Sequence, residues 1–416
     1  MKIILINTFY NRESTGKLMH NFRNYLKEQG HQVRVLYGHG PVSDSEDMVR
    51  LSSDWEGKVH NLLGRISGMN GCFSPLATEK AIQNIREFAP DLVYLGNLHG
   101  HYVNIYRLYA CLKELQIPVI QILWDEYMMT GACSFSYDCD RYKNQCHDCP
   151  HKKDYPISWF FDTSAILQKK KQAAYAGMNV GFAGVPYTAD KARESALLKD
   201  FPIFSIDEAV DQTNLFYPRD ASALRQELGI SEDKTVILNV CPYPSYRKGG
   251  AYYLELAQAC LPEERFVFVH VGFKGDPSEC PANFIPVGYV SDQNRLAAFY
   301  SMADRFVCTS LAETQPNTCL EALSCGTPVT GFDISGTPTC AEEPYGTFVP
   351  FADVDALKEV LLNTVQKTED SITATRAYAQ SRFASEDYNN RLFAAGIALL
   401  KNEHPSSVDS GNGDRN

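Results

Sequence analysis

No apolar run in the chain approaches the ~20 residues that a membrane-spanning helix requires, so nothing in it reads as a span of a bilayer. Nor does its opening read as a secretory leader. The opening Met1-Lys2-Ile3-Ile4-Leu5-Ile6 is too short for one and runs straight into Asn7, Asn11, Arg12 and Glu13, which reads as a buried first strand. Positive charge is in deficit: 39 Lys and Arg against 50 Asp and Glu leave a formal net charge of −11, which argues against a nucleic-acid partner, since that demands a concentrated basic surface. No repeat of fixed period is present.

Against those absences stand 44% hydrophobic and 21% charged residues, the balance of a soluble globular chain, expected in the cytoplasm. Its 416 residues exceed what one hydrophobic core usually supports, which predicts two domains of roughly 200 residues each. Thirteen cysteines without a leader point to a reducing compartment, where paired thiols more often bind metal than form disulfides. Cys111, Cys260, Cys308, Cys319 and Cys325 stand singly in apolar surroundings and read as core. Two basic groups, Lys169-Lys170-Lys171 and the Lys17, Arg23, Lys27 spacing, suit anionic lipid or, more simply, a solvated helix face.

Short apolar runs alternate with amphipathic stretches in the first half: Ile3 to Asn7, a helix from about Gly16 to Gln29 closed by Gly30, then Gln32 to Tyr37. Runs at Leu92 to Leu95 and Val119 to Leu123 continue this βαβ rhythm. After Gly184-Val185-Pro186 it restarts, with strands expected at Ile203 to Ile206, Val236 to Val240, Phe266 to Gly272, Phe284 to Gly288 and Arg305 to Cys308. The expectation is α/β throughout: two Rossmann-like, doubly wound parallel-sheet domains facing a central cleft, with function in the βα loops. The first spans 1–186, with a Cys-rich insertion near 130–156; the second spans 187–384. A helix over 385–402 is expected to pack back on the first domain, and 403–416 to form a disordered tail.

Chemistry-bearing patterns cluster in those loops. In Ser310-Leu311-Ala312-Glu313-Thr314-Gln315-Pro316-Asn317-Thr318-Cys319-Leu320-Glu321, a helix starting near Pro316 offers backbone N–H groups at Asn317 and Thr318 to a diphosphate. Glu313 and Glu321, eight apart, suit a sugar and ribose hydroxyls, or an ordinary surface. Arg247 and Lys248, in Tyr246-Arg247-Lys248-Gly249-Gly250, can clamp a pyrophosphate. His99, with His101 behind it, follows the strand at Leu92 to Leu95, where a loop histidine that merely caps is the plain alternative. The loop Asn11 to Lys17 is no P-loop, since Asn11 stands where the first glycine belongs and Leu18 where Ser or Thr belongs. Around Gly16 the loop reads as a plain helix start capped by Ser14 or Thr15. Cys133, Cys139, Cys146 and Cys149 have the spacing of a tetrahedral structural zinc site, against four independent thiols. Asp138-Cys139-Asp140, inside that loop, reads as coincidence.

The E-x7-E pattern of Glu313 and Glu321, continued by Ala322-Leu323-Ser324-Cys325-Gly326-Thr327-Pro328-Val329 and preceded by Gly288-Tyr289-Val290-Ser291-Asp292 and Tyr300-Ser301-Met302-Ala303-Asp304, resembles the donor-binding signature of glycosyltransferase family 4. The resemblance covers most of the chain. It implies a GT-B fold and a retaining glycosyltransferase (hexosyltransferase type) that moves sugar from a UDP- or GDP-sugar to a glycan or lipid-linked acceptor in bacterial polysaccharide biosynthesis. Glu313 would then be directed at the donor sugar, Glu321 at the ribose, Arg247 and Lys248 at the pyrophosphate, and His99 at the sugar, while Gly16 in the first loop would let backbone approach donor and acceptor. No catalytic metal is implied, and peripheral contact with the inner membrane face is compatible with it. The chain departs from the pattern twice. Tyr243 replaces an arginine five residues before the lysine, and Trp124-Asp125 stands where a histidine often precedes the aspartate. Two rivals share the architecture: a non-catalytic zinc-bearing interaction protein, and a sugar-nucleotide epimerase or glycogen-type synthase.

Overall fold

Ile3, Ile4, Leu5 and Ile6 are all fully buried, so the first strand is apolar on both faces, as a parallel sheet covered by helices on each side requires. The computed structural model of the chain describes residues 1–403. They divide into two compact units, Met1–Ile206 together with the chain from Asn389, and Asp207–Tyr388.

The first unit is built on seven strands: β1 (Lys2–Phe9), β2 (Gln32–His39), β3 (Met48–Arg50), β4 (Leu92–Leu95), β5 (Val119–Leu123), β6 (Val180–Gly184) and β7 (Ile203–Ser205). All pair in parallel, in the order β3-β2-β1-β4-β5-β6-β7. The second unit holds six: β8 (Thr235–Val240), β9 (Phe266–Val271), β10 (Phe284–Val287), β11 (Arg305–Cys308), β12 (Val329–Phe332) and β13 (Gly346–Val349), again parallel, in the order β10-β9-β8-β11-β12-β13. Side chains alternate across this sheet with period two: Val236 and Leu238 enter one core, Ile237 the other. In each unit the winding reverses at one place, between β1 and β4 and between β8 and β11. Connections leave in opposite directions there, and the strand ends open a crevice where ligands bind in such sheets.

Three boundaries differ from those expected. Ile203–Ser205 does not open the second sheet; it pairs with β6, Ile203 opposite Phe182, and extends the first unit to Ile206. Pro186 is therefore no domain boundary. It occupies the first turn of a helix, Pro186–Glu194, where its missing N–H is no loss. The first helix runs Glu13–Glu28, starting ahead of Gly16. Its cap is Arg12, without a side-chain bond, so neither Ser14 nor Thr15 caps it.

The last helix, Ser385–Lys401, returns to the first unit over its later turns. Tyr25 Oη donates to Asn390 Oδ1 (2.6 Å), Arg391 to the Ser205 carbonyl (2.7 Å), and Tyr94 Oη to the Leu392 carbonyl (3.3 Å). The tail expected over 403–416 lies, apart from Glu403, outside the described residues. Gly396 sets how closely this helix seats: a Cβ there would stand 2.2 Å from Tyr94 Oη and 2.6 Å from Leu92 Cδ2. Gly396→Val is therefore expected to destabilise the protein by about 1–3 kcal/mol through overpacking, read as a lowered melting temperature by circular dichroism.

Candidate functional site

The loop after β8 carries Arg247 and Lys248, and the loop after β11 carries Glu313; both leave the sheet where its order reverses. The two loops are joined through main chain. Leu311 N–H donates to the Arg247 carbonyl (2.7 Å), and Gly249 lies so close that a Cβ would fall 1.8 Å from the Thr309 carbonyl oxygen. Gly249 also has φ +63°, which a side chain would resist. Glu313 is clamped in turn, its N–H to Ser335 Oγ (2.9 Å) and its carbonyl to the N–H of Gly336 (2.8 Å).

On this frame Glu313 Oε1 accepts from Lys248 Nζ (2.6 Å) and Arg247 Nη1 (3.1 Å), while Arg247 also donates to the Ala312 carbonyl (2.7 Å). Burial alone would raise the Glu313 carboxyl, yet Lys248 and Arg247 outweigh it and hold the group below the usual carboxylate range. Pro316 caps the following helix, Asn317–Ser324, whose first turn directs the backbone N–H groups of Asn317 and Thr318 along its axis. Within that helix Glu321 Oε2 accepts from Tyr300 Oη (2.7 Å). Tyr243 supplies no third cation, being stacked on Phe273 with ring centroids 4.8 Å apart.

Sequence reasoning missed Glu208. It is buried, its N–H donates to Gln315 Oε1 (2.7 Å), and burial pushes its carboxyl up to about 8. A single acid in a nondescript loop carried no signal; Gln315, inside the glutamate motif, was the residue that pointed to it.

In the first unit the same logic places His99 after β4 and Gly16 beside the end of β1. Asn97 N–H donates to Asn7 Oδ1 (2.9 Å) and Thr8 Oγ1 to the Asn97 carbonyl (2.7 Å), tying the two strand ends together. A Cβ on Gly16 would sit 3.2 Å from the Phe9 carbonyl, so this helix rests directly on the strand end. His99 Nε2 lies 3.1 Å from Asp125 Oδ2, both largely buried, and the His99 ring packs 4.8 Å from that of Tyr127. Asp125, doubtful from sequence, is thus the partner of His99. Its other oxygen accepts the Tyr127 N–H (2.9 Å). His101, the alternative, has φ +60° and faces the buried His60, centroids 5.4 Å apart.

The zinc site is not formed as expected. Cys133, Cys139, Cys146 and Cys149 line one small cavity, but among the described residues no group of three or more His, Cys, Asp or Glu is placed to hold a metal ion. Cys133 and Cys149 hydrogen-bond to each other, which pushes the Cys133 thiol up and draws Cys149 down; Cys146 Sγ accepts the Gly131 N–H (3.2 Å). Lys171 is one of the side chains that tie this insertion down. Fully buried, it donates to the carbonyls of Tyr127, Thr130 (3.1 Å) and Gly131 (3.1 Å) and lies 3.7 Å over the Tyr127 ring. Lys171 therefore leaves the solvated face to Lys169 and Lys170. Nor do all the core cysteines stand singly: Cys308, Cys319 and Cys340 form a hydrogen-bonded file.

Residues 234–367, which contain β8 to β13, Arg247, Lys248, Glu313 and Glu321, match the family model described as glycosyl transferases group 1. The Escherichia coli (strain K12) protein named "Putative colanic acid biosynthesis glycosyl transferase WcaC" is 20% identical over 319 residues, 73% of this chain and 76% of its own. The chain is a glycosyltransferase. Its fold is shared with sucrose-phosphate synthase from Thermosynechococcus elongatus (TM-score 0.66, 16% identity, 97% of this chain and 100% of that one) and with Anabaena HepE solved with UDP-glucose (TM-score 0.62, 14% identity, 95% and 98%). The transferase thus has two Rossmann-like parallel-sheet domains of the GT-B type.

The transferase also carries two buried histidines, His60 and His101, whose protonation burial opposes. Burial, then His101 and His39, pulls His60 from 6.5 down to about 3; burial, then His99, His39 and Arg65, pulls His101 to about 4. A lowered folded-state value means the unfolded chain binds more protons between about 3 and 6.5, so stability is full above that window and falls with pH inside it. Melting temperature is expected to drop as pH is lowered from 6.5 to 4. His60→Gln, which can keep the bond to Ser74 Oγ (2.7 Å) without titrating, should flatten that slope by up to about 1.4 kcal/mol per pH unit.

Proposed function

We propose that the transferase moves a hexosyl group, with retention at the anomeric carbon, from a UDP- or GDP-sugar onto a glycan or lipid-linked acceptor in bacterial polysaccharide biosynthesis. The observation that carries this reading is the grip of Arg247 and Lys248 on Glu313 at the reversal point of the second sheet, beside the first turn of helix Asn317–Ser324. Both cations stand partly exposed there, with a carboxylate holding them in place and an N–H-rich helix start alongside. That is the charge pattern a pyrophosphate needs. The colanic acid assignment of the Escherichia coli relative and the UDP-glucose in the HepE structure support the donor class and the setting.

In this reading the pyrophosphate lies against Arg247, Lys248 and the N–H groups of Asn317 and Thr318; Glu321 accepts the ribose hydroxyls and Glu313 faces the sugar. The bond from the anomeric carbon to phosphate oxygen breaks, and a bond to the acceptor oxygen forms. The acceptor proton passes to the departing diphosphate, whose growing charge the cations and N–H groups stabilise. These groups supply the positive charge without a catalytic metal. In the first unit, His99, oriented by Asp125, and the close-packed turn at Gly16 are assigned to sugar and backbone contact. We place the reaction in the cytoplasm.

Glu313→Gln should lower kcat at least about a hundredfold while the fold is kept, measured as nucleoside diphosphate released only when acceptor is present, an outcome that also separates transfer from epimerisation. UDP- and GDP-sugars should raise the melting temperature, and Arg247→Ala or Lys248→Ala should abolish the shift. Failure of every nucleotide sugar to move it would sink the reading. Asp125→Asn should reduce turnover at least about tenfold and displace the pH–rate profile, leaving the nucleotide-induced melting shift intact.

A further inference from the structure

The helix Asp54–Ser67 is turned inside out. Its buried side carries Glu56, Gly57, His60 and Gly64, whereas Trp55, Leu62, Leu63 and Ile66 are exposed to solvent. Residues 55, 59, 62 and 66 fall on one stripe at helical spacing, so the exposed apolar side is continuous along the helix. The inversion is anchored: Glu56 Oε1 accepts the N–H groups of Leu76 (3.0 Å) and Ala77 (3.1 Å) at the start of the neighbouring helix Pro75–Phe88, and His60 bonds Ser74. The stripe cannot turn inward without breaking these contacts.

A second apolar feature joins it. Trp159, Phe160 and Phe161 are successive exposed side chains, Phe160 at 63% of its full exposure. Trp159 N–H donates to the Arg65 carbonyl (2.7 Å), and Thr163 Oγ1 to that of Gly68 (2.6 Å), so this aromatic loop sits against the end of the same helix. Two of the chain's three tryptophans are thus held at one surface.

Charge identifies the occupant. The chain carries a net −11, yet no Asp or Glu occurs between Glu56 and Glu79, and Asp162 alone occurs between Asp154 and Asp190. Lys58 and Arg65, seven residues apart, flank the stripe on one side, and Lys169 and Lys170 are exposed on the helix Ser164–Tyr175 that follows the aromatic loop. We infer that this face of the first unit docks on an anionic phospholipid bilayer, with Trp55, Leu62, Ile66 and the Trp159-Phe160-Phe161 loop entering the headgroup boundary and the four cations facing lipid phosphates. The rest of the chain carries net negative charge, so the patch also orients the molecule.

The test is flotation of the full chain with vesicles of phosphatidylcholine alone or mixed equally with phosphatidylglycerol. The wild type should float with the mixed vesicles, less so in high salt, and its tryptophan emission should be quenched by lipids brominated in the acyl chain. Trp159→Ser/Phe160→Ser/Phe161→Ser should lower the bound fraction at least about tenfold, and Lys58→Glu/Arg65→Glu should remove the preference for anionic lipid. Leu62→Ser/Ile66→Ser provides the same reading should the triple variant lose its circular dichroism spectrum. A wild type that does not float, or folded variants that float as the wild type does, would overturn the inference. So would sedimentation equilibrium showing a dimer that these variants dissolve, since a second copy would then be what covers the face.

Discussion

One carboxylate shared by two cations from a different loop organises the second unit. Arg247 and Lys248 would repel each other and swing outward were Glu313 not between them, and Glu313 would not stay ionised in its buried position without them. Breaking either half leaves a buried or crowded charge uncompensated, which costs more than the pair itself contributes. The main-chain bonds from Leu311 to Arg247 and from Gly336 to Glu313 keep the three side chains in register with the sheet.

The first unit solves a related problem with a neutral scaffold. His99 and Asp125 come from adjacent strand ends, and the strand ends are tied through Asn7, Thr8 and Asn97. The turn that follows Asp125 is stapled by Lys171, whose amine donates to three buried carbonyl oxygens. Burial pulls that amine down to about 7, so its place in the core rests on hydrogen bonding rather than on an ion pair.

How much of this was legible depended on range. The βαβ rhythm was visible because strands such as Ile3 to Ile6 and Val236 to Val240 are apolar on both faces, a local property. Ile203–Ser205 was assigned to the wrong sheet because three residues carry no record of their neighbour, and only pairing with β6 decides it. That Arg247, Lys248 and Glu313 would meet was legible because each lies in the loop after a recognisable strand. Asp125 was undervalued because its partner was sought next to it in sequence, whereas His99 arrives from the preceding βα loop. The cysteine spacing suggested a metal, but spacing could not reveal that Cys133 would choose Cys149, nor that a lysine some twenty residues further on would provide the positive charge.

Gly249 and Gly336 carry a consequence for how this protein could diversify. At the first a side chain would collide with the Thr309 oxygen, and at the second, 1.5 Å from the Thr314 oxygen, with the backbone just past Glu313. Peptide planes are therefore in direct contact on both flanks of the acidic residue, leaving no slack for insertions or for reshaping either loop. A descendant that came to accept a different donor would have to exchange side chains on an unchanged backbone trace, so new selectivity would arise at positions such as Tyr243 or Glu321 before it arose from altered loop length.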